Sequence, residues 1–167
     1  MGLFSKDIKT MDDLFVHALQ DVFHTENKIV KSMPKMIEKA TNPQLKQAFQ
    51  SHLGETREHL TRLEEVFRMS GVRPQVLDCP AIESIVEEAE DVVGEAENQE
   101  VLDAALLAAA QAVEHYEMTR YGTLIAWARQ LGRNDCAQLL QRTLEEEKAA
   151  DRKLTSIAET SVNQMAA

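Results

Sequence analysis

The chain has 167 residues, 44% of them apolar and only 5% aromatic, with a formal net charge of −10. That is length for one domain with a full core, and an acidity that argues against nucleic acid as a partner. No apolar run is long enough to span a bilayer, and Met1–Asp7 shows no signal-peptide core, so a cytoplasmic protein without membrane contacts is expected.

Thr10 and Asp13 form a capping-box start, and the first helix is predicted from there to about Ala40. Its apolar stripe runs Leu14, Phe15, Ala18, Leu19, Val22, Phe23, Ile29, Val30, Met33 and Ile37, with Glu26 set inside it. Pro34 should kink this helix, because a mid-helix proline removes one backbone bond. Thr41-Asn42-Pro43 supplies a cap and a proline for the first turn of the second helix, which runs to about Ser70 and stops at Gly71. Its inner face reads Leu45, Ala48, Phe49, His52, Glu55, Thr56, His59, Leu63, Val66 and Phe67.

Residues 72–80 form a loop with Pro74 and Pro80, followed by a short amphipathic helix carrying Ile82, Ile85, Val86, Ala89 and Val93. The next long helix runs from about Glu100 to Leu131, stopped by Gly132, and the last from about Asp135 to Glu159. The final residues read as a frayed tail, so residues 1–167 form one domain with its core at about 10–159. Two short turns and one connection of some thirty residues describe an all-α, ferritin-like four-helix bundle with a long crossover containing an extra short helix. The two hairpins also repeat. His24-Thr25-Glu26 falls in register with His115-Tyr116-Glu117, and after a one-residue shift at the turn Glu55 aligns with Glu147 and His59 with Asp151.

The carboxylates that interrupt the stripes carry the chemistry. Glu26, Glu55, Glu117 and Glu147 each lie where a long helix turns towards its neighbours, and a lone ion buried there would cost several kcal/mol. Together they make sense as ligands converging on cations. Carboxylate oxygen and imidazole nitrogen suit iron or manganese, and two metals need bridging carboxylates. Residues three or four apart share a helix face, which adds Glu114 beside Glu117, Asp151 beside Glu147, and His52 or His59 beside Glu55. Two divalent ions per chain are therefore expected among Glu26, His52, Glu55, Glu114, Glu117, Glu147 and Asp151, with no catalytic residue separate from the metal site. The internal repeat favours His59 as the nitrogen ligand, with His52, one turn before Glu55, the alternative. His24 and His115 lie off the Glu26 and Glu117 faces and read as supporting groups. Tyr121, one turn after Glu117, reads equally as packing or as a hydrogen-bond donor to a ligand carboxylate. His17 and Asp21 pair along another face.

Asp12-Asp13-Leu14-Phe15, His52-Leu53-Gly54-Glu55-Thr56, Glu114-His115-Tyr116-Glu117, Tyr121-Gly122-Thr123-Leu124 and Glu146-Glu147-Lys148-Ala149-Ala150-Asp151 resemble the YciE/YciF family of ferritin-like stress proteins. The resemblance covers about residues 10–158. It implies a ferritin-like bundle, a dinuclear site between the helices, a bacterial cytoplasmic setting and dimers. A second semi-apolar face on the first helix, around Phe15, Ala18 and His17, points to a homodimer as well. Neither hairpin carries the Glu-x-x-His motif of ferritins and rubrerythrins, since Glu55 meets Glu58 and Glu147 meets Ala150. Cys79 and Cys136 form no C-x-x-C pair, so a zinc ribbon or rubredoxin-type electron donor is absent, and two free thiols in a reducing compartment are expected. The leading expectation is Fe(II) oxidation by oxygen or peroxide under stress. The alternatives are a non-catalytic stress protein with a structural metal and a dimanganese centre that dismutates peroxide.

Overall fold

The computed structural model describes residues 8–75, 77 and 79–167; Met1–Asp7, read above as lacking a signal-peptide core, lies outside them. Four long helices form the bundle: α1 (Met11–Lys39), α2 (Pro43–Met69), α4 (Gln99–Gln130) and α5 (Asn134–Ile157), with α3 (Pro80–Glu95) in the crossover. Among the described residues every regular element is helical. None of these helices is long and apolar enough to cross a membrane.

Local chemistry sets the ends. Thr10 and Asp13 cap α1 reciprocally, and Asn42 accepts from the backbone N–H groups of Gln44 and Leu45 ahead of Pro43. Gly71 and Gly132 adopt φ of +69° and +72°, the left-handed region that terminates a helix cheaply only at glycine. Pro34 lies within α1, which continues through it to Lys39.

Two interactions give the direction of travel. Asp103, at the start of α4, accepts from Thr41 N, Thr41 Oγ1 and Asn42 N at 2.8, 2.7 and 2.8 Å, which places it at the α1–α2 turn. Arg133, just before α5, meets Asp12 at 2.6 Å, at the opposite end. Hence α1 and α5 run one way, α2 and α4 the other, and the crossover spans the bundle's length. This is the ferritin-like arrangement.

The core divides into two apolar clusters. One gathers Phe15, Leu19, Val22, Leu63, Phe67, Leu124 and Leu140; the other gathers Ile29, Met33, Leu45, Phe49, Leu106, Leu154 and Val162. Phe15 and Ala18 belong to the first cluster, so the helix-1 face expected to mediate dimers is spent inside the chain, with only His17 exposed. The tail is also firmer than its sequence suggests. After α5 the chain makes a π-type turn over Ala158–Val162 and a last turn, α6 (Asn163–Ala166), with Ala158 and Val162 buried. Asn42 donates to Ser161 Oγ at 2.9 Å, tying the tail to the start of α2.

Candidate metal centre

Between the two apolar clusters lies a layer of buried polar side chains. Glu26 sits on α1 between Val22 and Ile29, one turn either way, and is fully enclosed with them. On α2, His52, Thr56 and His59 succeed one another on the inward face in the same spacing as Leu45 and Leu63. Glu114 and Glu117 flank the inward direction of α4, and Glu147 faces inward from α5; all three are buried.

These side chains form two groups. His52, Glu114, Glu117 and Glu147 make one, and Glu26, His59 and Glu147 the other; within each, the candidate ligand atoms lie within 4.8 Å of one another. Glu147 belongs to both. Its Oε2 is 3.9 Å from His52 Nε2 and its Oε1 is 3.1 Å from His59 Nδ1. Glu114 Oε1 approaches His52 Nε2 at 3.2 Å, and Glu26 Oε1 approaches His59 Nδ1 at 3.3 Å. Each imidazole thus meets carboxylate oxygen from two helices.

The chemistry of the donors fits a cation. Glu26 Oε2, Glu114 Oε2, both oxygens of Glu117 and both of Glu147 are buried without a protein hydrogen-bond partner. Dry, unpaired carboxylate oxygens are costly, and their convergence gives a positive ion several ligands at once. Two of these carboxyls hold protons instead while no ion is bound. Burial and the charge of Glu147 push Glu114 up to about 11, and burial with the charge of Glu26 raises Glu117 well above the carboxylate range. Burial would neutralise His59, but the carboxylates of Glu147 and Glu26, 3.1 and 3.3 Å from its Nδ1, override it and raise the imidazole to about 11. Burial would likewise raise Glu147, but the His59 imidazole 3.1 Å away wins and holds it below the usual range. Burial raises Glu26 against the opposing pull of His59. His59 can ligate a metal only after losing its Nδ1 proton.

A supporting layer orients the ligands. Tyr121, fully buried, donates its hydroxyl to Glu26 Oε1. His59 places its other nitrogen, Nε2, 2.9 Å from Glu146 Oε2. Arg62 holds that carboxylate with both guanidinium nitrogens and also donates to Thr143 Oγ1 at 3.1 Å. The sequence of contacts Arg62–Glu146–His59 is the carboxylate–histidine arrangement that fixes ring orientation at metal sites.

The structure therefore brings together Glu26, His52, Glu114, Glu117 and Glu147, and adds His59, so both candidate histidines enter, one per group. It sets Glu55 and Asp151 apart. Glu55 lies about 60° round α2 from His52, leaving its side chain 44% exposed and 3.5 Å from His52 Nδ1, while Thr56 takes the inward position. Asp151 turns to the α4 side of α5, accepting from Gln111 Nε2 at 3.0 Å and meeting His115 Nε2 at 3.2 Å. His24 bonds Glu83 of α3 at 2.9 Å, and His17 meets Asp21 at 3.6 Å, both away from the site. Glu146 and Arg62 were not anticipated. Arg62 lies three residues on from His59, on the same side of α2, and Glu146 enters the sequence reading only as the first residue of the Glu146–Asp151 segment.

Two clefts reach the His52–Glu114 end of the layer. One, about 120 Å³, opens between α1, α3 and α4; the other, about 130 Å³, opens between α2 and α5 past Glu55 and Glu146.

Residues 10–167 match the family model described as domain of unknown function DUF892. The chain is 44% identical over 161 residues to protein YciF of Escherichia coli K12, covering 96% of this chain and 97% of that protein. Its fold is similar to the crystal structure of the E. coli stress protein YciF, with a TM-score of 0.89 at 44% identity, covering 93% of this chain and 99% of that one. It is also similar to YcfI of Rhodopseudomonas palustris, described as a candidate structural protein, with a TM-score of 0.90 at 51% identity and the same coverage. A protein from Xanthomonas campestris shares the fold at 18% identity, with a TM-score of 0.75 over 93% of this chain and 95% of that one.

Proposed function

The chain belongs to the DUF892 family, and on that footing we propose that it is a di-iron carboxylate protein that oxidises Fe(II) with oxygen or peroxide during bacterial stress. The observation that carries this reading is Glu147, which offers one oxygen to each of two buried groups that each contain an imidazole. Iron held there supplies one-electron redox chemistry. The protein's share is electrostatic and positional. Clustered carboxylates favour the more highly charged ferric state, and the two apolar clusters flank the layer on either side along the bundle. Glu146, fixed by Arg62, holds His59 with Nδ1 aimed at Glu26 and Glu147. The protons on Glu114 and Glu117 leave as cations enter. The half-exposed Glu55 lines the α2–α5 cleft, where its carboxylate would attract an entering cation.

Protein purified without chelator should contain about two iron atoms per chain by elemental analysis, and should oxidise added Fe(II) in air above the uncatalysed rate. Metal-free protein that takes up no Fe(II) under nitrogen overturns the reading. The R. palustris relative is described as a candidate structural protein, which supports a second reading, a non-catalytic protein in which any metal is structural; bound metal that raises the melting temperature, with Fe(II) oxidation at background, selects it. A dimanganese centre would instead release oxygen from peroxide. The homodimer rests on the family resemblance alone, and light scattering that gives a monomer mass removes it.

A further inference from the structure

The cleft between α1, α3 and α4 is unlike the layer it leads to. Its walls are Met33, Val86, Ala89, Val93, Leu106 and Val113, and its floor is His52 and Glu114. Ala89 of α3 and Ala109 and Ala110 of α4 all line the cleft, and their small side chains leave about 120 Å³ unfilled. A closed apolar cavity of about 150 Å³ is enough to take up benzene; this one is open at one end, so an occupant need not fit inside it entirely. The mouth is charged. Lys35 and Lys39 stand there with Glu90, and Lys35 meets Glu90 at 3.8 Å with both side chains about two-thirds exposed. The lining of the mouth thus offers two ammonium groups against one carboxylate. At the floor, Glu114 Oε2 is buried without a protein partner.

We propose that this cleft is a binding site for a small aliphatic carboxylate, its chain lying among Met33, Val86 and Val93 and its head at Lys35 and Lys39. The assignment goes beyond metal oxidation and does not depend on it, because the walls and mouth come from residues that hold no metal. The occupant's tail would end against His52 and Glu114, at the metal layer itself. Area burial accounts for affinity and the lysines for the choice of an anion over a neutral chain of equal length.

Calorimetric titration of the full chain with octanoate, hexanoate and octanol tests this, on metal-loaded and chelator-treated protein alike. Octanoate should bind saturably in both, about fourfold more tightly per methylene than hexanoate. Ala89→Phe, which fills the cleft, should weaken octanoate at least about tenfold, and Val93→Phe serves the same purpose if circular dichroism shows the first variant unfolded. Lys35→Gln with Lys39→Gln should weaken octanoate about tenfold and leave octanol unchanged. Absence of saturable octanoate binding, or indifference to both cleft-filling variants, overturns the site. Octanol binding as tightly as octanoate overturns the anionic head. Because chelator-treated protein is included, loss of metal chemistry and loss of this site are separately visible.

Discussion

Glu147 is enclosed by two imidazoles and three carboxylates, so each group can be dismantled separately while Glu147 serves both. Glu147→Ala should leave no bound metal, because both groups lose a ligand, whereas Glu26→Ala should leave about one ion per chain, held by His52, Glu114, Glu117 and Glu147. Helix content should survive both changes, since alanine favours helix. Elemental analysis with circular dichroism checks the pair; Glu26→Ala retaining two ions, or neither, contradicts the two-group arrangement. Glu146 acts at one remove, through His59 Nε2. Glu146→Ala should weaken metal binding about tenfold to a hundredfold without changing the stoichiometry at saturation, as competition with a chelator would measure. These residues were unequally legible in sequence. Glu26, Glu117 and Glu147 announce themselves because an acid inside an apolar stripe demands an explanation. His52 and His59 do not, because a lone inward histidine is ordinarily a hydrogen-bonded core residue. Glu55, three residues from His52 and four from His59, shares their side of the helix but sits at its edge, and Thr56 fills the centre, a difference of one position that stripe patterns do not resolve.

At the level of elements, one carboxylate orders the far end of the bundle. Asp103 joins α4 to the α1–α2 turn through three hydrogen bonds, two of them to backbone N–H groups that have no helical partner. Removing it strands the buried Asn42 N–H and leaves the two donors of the exposed Thr41 to water, so Asp103→Ala should cost about 1–3 kcal/mol, read as a lower denaturant midpoint with an unchanged slope. An unshifted midpoint would mean water replaces the carboxylate without loss. The helices themselves were plain from stripes, caps and glycines, because those signals are local. Asp103 was not, because its role depends on the crossover bringing residue 103 back beside residue 41. The tail was misjudged for the same reason. Its last residues are weakly patterned, and Val162 is buried only because the second apolar cluster has a place for it beside Leu154 and Ile157.

The whole molecule couples metal, protons and stability. Glu114 is raised to about 11 from an ordinary carboxylate value of 4.5, and His59 to about 11 from 6.5. Between those limits the folded, metal-free chain binds more protons than the unfolded chain at both positions. Stability from a raised group is fully present below its unfolded value and is lost as pH rises through the folded one, so the metal-free protein should weaken steadily across neutrality. A melting-temperature drop of about 5 °C or more is expected between about pH 6 and pH 8. Cations reverse the trend. Metal displaces the same protons, so its affinity rises with pH, and the thermal shift on adding Mn(II) under nitrogen should be larger at the higher pH. The net charge of −10 would also favour the folded state at lower pH, by easing self-repulsion as surface acids titrate. Glu114→Gln separates the two causes. It keeps the shape of the buried group, removes its proton exchange and leaves surface charge untouched. If the buried layer governs the pH dependence, the metal-free variant should show a clearly shallower fall in melting temperature than the parent. An unchanged slope would assign the effect to surface charge and deny Glu114 its proton.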